Sequence, residues 1–313
     1  MNDKPTQRNF ILGDSWLFYK IYTGPKTSDT ILTEAIRPVA LQLIREKVID
    51  KWFFMRYSDP KHHLRVRFHF NAPDTIGTII NRLLPAFRDF TDKDLIWKIQ
   101  ADTYKRELER YGHNTMELAE TLFFHDSTMI TEFLDMIEGD EGEELRWLFS
   151  LRAMDSLLDS FLYTEEEKLA LLERLKTGFG EEFGMSRPLK KQLDDKYRKY
   201  RAKIDAFMVF QAGDNPDYGP ILEVLERKKR NITPVANAVL KHRDEKTLEV
   251  PLNDLMGSYI HMLMNRLFRS RNRMHEMVCY DFLYRYYRSA IARKKKGKNA
   301  IGNRKEIVKS QGG

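Results

Sequence analysis

The chain has 313 residues, 42% hydrophobic and 32% charged, with 16 glycines and 11 prolines, enough for about two compact units at roughly 150 residues each. A short peptide, a fibre and a low-complexity chain are excluded. The net charge of +7 is local: from Arg293 onward eight basic residues face one acid, Glu306, while the 292 residues before them carry 45 charges of each sign.

A nucleic-acid reader carries its basic excess on a folded face. Here the excess lies on a Gly- and Asn-containing terminus, read as a solvated flexible tail over 293–313, and no direct nucleic-acid partner is expected. The one cysteine, Cys279, stands in the apolar run Met277-Val278-Cys279-Tyr280, which predicts a buried thiol and a reducing compartment. A polar start over Met1–Gln7 and the lack of any apolar run of about 18 residues predict neither a signal peptide nor a membrane span, hence a cytoplasmic location.

In chain order, Ser15–Tyr22 is aromatic-rich and strand-like. Asp29–Lys47 carries Leu32, Ile36, Val39, Ala40, Leu43 and Ile44 at helical spacing, with a kink expected at Pro38. Lys51–Tyr57 and the strictly alternating His63–Phe70 read as two strands of a hairpin turned by Ser58-Asp59-Pro60. Asp74–Phe90 returns to helical spacing and Asp94–Thr103 is again extended. The summed pattern is βαββαβ, a ferredoxin-like unit. After Tyr104 helices dominate, predicted over 116–137, 143–162, 165–177, 189–210, 220–230, 234–242 and 254–289. The fold class is therefore α+β, with an α+β region over 1–112, a helical region over 113–292 and the basic tail.

The alternation of His63-Leu64-Arg65-Val66-Arg67-Phe68-His69-Phe70 sends His63, Arg65, Arg67 and His69 to one face and the apolar residues to the other. Two guanidiniums at i and i+2 cannot neutralise each other and call for anions, for which the planar Arg fork suits a carboxylate. Arg56 on the preceding strand is placed to add a third. Over Tyr104–Gly112 two readings stand: a helix grouping Tyr104, Glu107, Arg110 and Tyr111, or a continued strand grouping Tyr104, Arg106, Leu108 and Arg110. In the helical stretch around Tyr259–Leu267, His261 and Asn265 are one turn apart, so the Asn is a natural partner to hold the imidazole tautomer.

Other chemistries lack their signatures. His62, His63 and His69 cluster in sequence, but His-Glu-x-x-His is absent and no third or fourth ligand stands at metal-site spacing, so no metal is expected. Gly178-Phe179-Gly180 lacks the third glycine of a dinucleotide loop, and no Gly-x-Ser-x-Gly elbow occurs.

Taken together, Trp16–Tyr22, Trp52–Tyr57 running into Asp59-Pro60, His63–Phe68, Arg106–Gly112 and His261-Met262-x-x-Asn265-Arg266-Leu267 resemble the elimination domain found at the C-terminus of nisin-type lantibiotic dehydratases and alone in the thiopeptide-type bacteriocin biosynthesis family. The resemblance implies a lyase that expels glutamate from glutamylated Ser or Thr of a ribosomal precursor peptide, leaving dehydroalanine or dehydrobutyrine. It implies a separate glutamylation-domain protein as partner, no cofactor, and leaves a homodimer open. Carried over, the family's functional residues fall on Arg65, Arg67, Glu107, Arg110 and His261. The arginines are cast as anion clamps, His261 as the proton-transfer residue, and Glu107 as a ligand for the substrate ammonium or an orienter of an Arg; Arg56, His63, Tyr111 and Asn265 join as substrate-binding candidates. One departure is visible, since the family usually carries a second glycine where His113 stands. The same family includes pyridine-forming cycloaddition enzymes, and a non-catalytic peptide-binding subunit is a third reading. The lyase reading needs the strand arginines and His261 to meet at one cavity able to admit an acylated residue.

Overall fold

The computed structural model describes residues 6–211, 213–214 and 218–310, with side chains described except at 140 and 296–310. Two compact units make up the chain, Met1–Phe161 with Gln211–Asn272, and Leu162–Phe210 with Arg273–Gly313. The change from sheet to helices at Gly112 falls inside the first of these.

The first unit is built on four strands, β2 (Trp16–Thr23), β3 (Lys51–Tyr57), β4 (His63–His69) and β5 (Ile96–Ala101), in the order β3-β4-β2-β5 with every neighbour antiparallel. This is the arrangement expected of a βαββαβ unit, the first strand lying between the last and the third. Between β2 and β3 run α1 (Thr27–Thr30), a π-helical turn over Ile31–Ile36 and α2 (Arg37–Arg45). The kink expected at Pro38 is taken up there: Arg37 N–H reaches back five residues to Leu32 O, and this wider turn precedes the residue that has no N–H to give. A 3-10 turn over Pro73–Thr75 leads into α3 (Ile76–Asp92), whose Phe87 meets Tyr19 of β2 edge to face at 5.7 Å.

Pleat alternation assigns the faces. Leu17, Ile21, Trp52, Phe54, Leu64, Val66 and Phe68 are wholly buried, which makes one face of the sheet a continuous apolar layer. On the other face the antiparallel register sets Arg67 between Phe18 and Phe53, Arg65 between Lys20 and Met55, and His63 between Tyr22 and Tyr57. The sequence did not reveal a two-stranded ribbon, β1 (Asn9–Phe10) with β6 (Tyr104–Lys105). It stacks Phe10 on Tyr104 and sets Tyr104 against Trp16 and Phe53, covering one end of the cationic face.

The Tyr104–Gly112 stretch divides between its two readings. Tyr104–Lys105 is extended, whereas Leu108–Tyr111 is the single helical turn α4, stopped by Gly112 at φ 73°. A Cβ on Gly112 would stand 3.1 Å from Thr115 Oγ1 and 3.2 Å from Asn114 Oδ1, so both the angle and the space call for glycine. His113 needs no such freedom: its backbone N–H and ring Nδ1 lie 2.8 and 2.9 Å from Glu249 Oε2.

Helices α5 (Met116–Asp135), α6 (Gly139–Ser160), α9 (Gly219–Asp244) and α10 (Leu252–Leu267) complete the first unit. Two predicted helices, 220–230 and 234–242, are one: α9 continues through Pro234, which gives up a backbone bond and crowds the carbonyl one turn back. Conversely, the helix predicted over 254–289 is broken. Phe268 is extended at ψ 134° and Arg271 has φ 52°, separating α10 from α11 (Asn272–Ser310).

The second unit is helical: α7 (Glu165–Phe183), α8 (Arg187–Val209) and α11. Thr164 and Glu167 form a reciprocal capping box at the start of α7. Buried Asp281 is held between Lys176 at 3.0 Å and Arg285 at 2.6 Å, and Cys279 is buried as expected. The backbone of α11 continues through the basic segment as far as Ser310, while the side chains from 296 onward lie outside the described residues. Among the described residues no helix is long and apolar enough to cross a membrane.

Candidate active site

Five arginines are buried among the described residues, Arg56, Arg67, Arg106, Arg146 and Arg266, and their partners separate them. Arg56 and Arg146 meet Asp29 at 2.5 and 2.8 Å, Arg106 grips Glu120 with two nitrogens at 2.7 Å each, and Arg266 is 3.9 Å from Asp126. Among the described residues Arg67 has no carboxylate within 4 Å. Its Nη1 lies 3.3 Å from Met55 Sδ, its Nε lacks a hydrogen-bond partner, and its guanidinium carbon is 4.3, 4.5 and 5.2 Å from the ring centres of Phe18, Tyr104 and Phe53. Burial lowers its pKa to about 10, so it remains charged at neutral pH, caged by aromatic faces that attract a cation without neutralising it.

This cage opens into a cleft of about 30 Å³ lined by Phe53, Met55, Arg67, Tyr104, Glu107 and Met262, among others. One water needs roughly 10–15 Å³ on this scale, so the cleft takes two oxygen-sized groups. It suits a carboxylate head and is too small for the whole acylated residue that the sequence reading called for. The remainder of such a substrate has to lie outside it.

Arg65, two residues along β4 and roughly 7 Å away at strand rise, shares the face. Its guanidinium carbon lies 3.6 Å from the centre of the Tyr57 ring, its Nε is 3.2 Å from His63 Nε2, and among the described residues it too has no carboxylate within 4 Å. Glu107 and Arg110 pair with each other at 3.1 Å, with exposed side chains, and Glu107 lines the cleft. Tyr111 is buried in the cleft wall, stacked on Tyr259 at 5.9 Å, and burial raises its phenol pKa well above the ordinary value.

Helix α10 packs against β3 and α4. Its Met262 lines the cleft, and the half-buried His261 is the residue just before. Asn265, one turn further on the same side, receives Arg56 N–H on Oδ1 and donates from Nδ2 to Arg56 O, each at 2.9 Å.

Two candidates therefore have other duties. Arg56 is not a third anion clamp: its guanidinium is engaged by Asp29, Ser28 and the Arg266 carbonyl inside the core. Asn265 holds the exposed edge of β3 instead of facing a substrate. Conversely, sequence reasoning missed Phe18 and Phe53 in the cage of Arg67, and it grouped Tyr104 with Arg110 without setting it against Arg67. Phe18 and Phe53 were findable only once the register across β4 was known; Tyr104 reaches Arg67 on the unpredicted ribbon.

Among the described residues no group of three or more His, Cys, Asp or Glu side chains gathers as metal ligands. The second unit holds a larger cavity, about 430 Å³, lined by Lys176, Lys190, Asp194, Asp281 and Arg285 among others. None of the candidate site residues read from the sequence lines it.

Fold and cleft together define an α+β protein that presents a carboxylate-sized cationic site on a ferredoxin-like sheet. The chain belongs to the lantibiotic biosynthesis dehydratase C-terminal family, whose model matches residues 16–287. It is similar to the subtilin biosynthesis protein SpaB of Bacillus subtilis, 28% identical over 258 residues, covering 82% of this chain and 24% of SpaB. The chain thus spans about a quarter of the length of that relative. Among solved structures, the tRNA-dependent lantibiotic dehydratase MibB from Microbispora sp. 107891 superposes with a TM-score of 0.69 at 20% identity, over 91% of this chain and 29% of MibB. The pyridine synthase TbtD from thiomuracin biosynthesis gives 0.60 at 12% identity, over 86% of this chain and 97% of TbtD. At these identities the structural matches show a shared fold.

Proposed function

We propose that this chain eliminates glutamate from glutamylated Ser or Thr residues of a ribosomally made precursor peptide. The observation that carries this reading is that Arg65 and Arg67 share one sheet face without a carboxylate partner, Arg67 inside a cleft the size of a carboxylate head. The bound glutamyl group offers such a head.

In the reaction the Cα proton is removed, the Cα–Cβ double bond forms, the Cβ–O bond breaks, and glutamate leaves as a carboxylate. Negative charge develops on the enolate oxygen and on the leaving group. Preorganised guanidiniums lower the barrier where that charge appears. Arg67 holds one carboxylate at its aromatic cage, and Arg65 meets the second developing charge. Glu107 at the cleft mouth receives the substrate ammonium, steadied by Arg110. His261, on the helix whose next residue lines the cleft, transfers the proton, a task for which imidazole chemistry near neutral pH is suited. The partners are the precursor peptide and a separate protein that glutamylates it; the chemistry of this step calls for no cofactor.

The test is incubation of a glutamylated precursor peptide with the protein, followed by mass spectrometry. Release of glutamate with one dehydro residue per site is expected, and His261→Ala is expected to leave the ester in place. Unchanged ester bound tightly by the wild-type protein would replace this reading with a peptide-binding subunit. Ring formation from a peptide already carrying dehydro residues would replace it with cycloaddition.

A further inference from the structure

Resting on the elimination reading, we propose that His63 is a positioning residue: its ring, neutral and fixed in the Nδ1–H tautomer, takes the Nε–H of Arg65 and leaves both terminal nitrogens of that guanidinium for the substrate. The sequence had marked His63 as a substrate ligand, but its surroundings close it off. It is 1% exposed, with Tyr22 and Tyr57 on either side at ring-centre distances of 4.8 and 5.5 Å.

Its two nitrogens have partners of opposite kind. Nδ1 lies 2.8 Å from the Lys61 carbonyl oxygen, which can only accept, so Nδ1 carries the hydrogen. Nε2 lies 3.2 Å from Arg65 Nε, which can only donate, so Nε2 presents a lone pair. Only the neutral Nδ1–H form satisfies both. The groups facing the ring are Lys20 and Tyr22 on β2, Tyr57 on β3, Lys61 and His62 in the turn, and Arg65 on β4. None is a carboxylate, and burial with the Arg65 charge lowers the His63 pKa from 6.5.

The geometry has a consequence for binding. A guanidinium can meet a carboxylate sideways, through Nε and one Nη, or end-on, through both Nη atoms. With Nε occupied by His63 and the guanidinium carbon 3.6 Å from the Tyr57 ring centre, the end-on fork through both Nη atoms is left. Protonating His63 would set N–H against N–H and release Arg65.

Two measurements test this. Long-range 1H–15N spectra of histidine-labelled protein, with the His63 signals assigned by comparison with His63→Phe, should show Nδ1 protonated and Nε2 bare at pH 7.5, and the Nε2 signal should move in Arg65→Ala. A Nε2–H tautomer would overturn the proposal whatever the activity. With glutamylated peptide, His63→Phe, which keeps the ring and drops the acceptor, should lower kcat/KM about 10- to 100-fold, the range of one charge-assisted hydrogen bond. His63→Gln, whose amide oxygen can accept, should recover most of this. Wild-type kinetics in His63→Phe, or no recovery in a folded His63→Gln, would also overturn it. If the wild-type protein releases no glutamate, the elimination reading falls, while the spectra still decide the tautomer.

Discussion

The side-chain amide of Asn265 closes a two-way hydrogen bond with the backbone of Arg56, two hundred and nine residues away, at 2.9 Å in each direction. Arg56 lies on β3, an edge strand of the sheet, and an edge presents backbone groups that need a partner. The amide supplies a donor and an acceptor together, as a neighbouring strand would, and ties α10 to the sheet. Asn265→Ala removes both bonds and leaves a backbone donor and acceptor under the helix, a loss of about 2 kcal/mol. Urea unfolding should show a lower midpoint at unchanged slope. Glutamate release should fall with it, because the tie also places His261. Stability within about 0.5 kcal/mol of wild type would mean that the bond does not hold the helix.

Arg67 makes the opposite prediction. A buried cation with no anionic partner is destabilising, and an apolar side chain of similar length often restores stability. Arg67→Met should unfold at equal or higher denaturant than wild type while losing glutamate release by at least about 100-fold, on the scale of losing a transition-state charge partner. Side-by-side unfolding and peptide assays check this. Loss of stability together with loss of activity would indicate that the guanidinium serves the fold.

Asp29 gathers three guanidiniums, from Arg56, Arg146 and Arg269. Burial pushes its pKa upward, but those three charges outweigh it and bring the value to about 2, below the ordinary 3.8. Asp29→Asn leaves Arg56 buried without a carboxylate and Arg146 with only Glu143, 3.5 Å from its Nε, a cost of about 3–5 kcal/mol. Because the folded-state pKa is depressed, the wild-type contribution is complete above 3.8 and is lost as pH falls towards 2. The variant's stability deficit relative to wild type should therefore narrow across that interval, as measured by thermal unfolding.

Three histidines set a second, milder pH dependence. Burial lowers the pKa of His62, His63 and His125 below 6.5. As pH falls through roughly 6.5, the unfolded chain takes up these protons first, so stability declines on the acid side and is recovered on returning above it. The melting temperature should drop between pH 7 and pH 5.5. His125→Phe, which cannot take up the proton, should reduce that drop.

Much of the architecture could be read locally. The alternation in His63–Phe70 sorts side chains onto two faces through the pleat alone, and the sheet has those faces. The order of strand and helix periods through the first hundred residues specified the βαββαβ unit, and the motifs around Arg65, Arg67, Glu107 and His261 pointed to the family. Helix ends were less legible. A proline inside α9 read as a boundary, although the helix continues past it, while the break at Phe268–Arg271 carries no glycine or proline to announce it.

What the amino-acid order determined by itself is the set of cations on one face of β4, because the two-residue repeat of a strand is a property of its own backbone. What only tertiary structure decided is which arginines of the sheet are free. Arg56 and Arg67 are both buried arginines on adjacent strands, yet Asp29 neutralises the first while aromatic rings from β2, β3 and β6 surround the second. Those partners come from strands and helices far apart in the chain. Their meeting depends on cross-strand register and packing, which local periodicity does not encode.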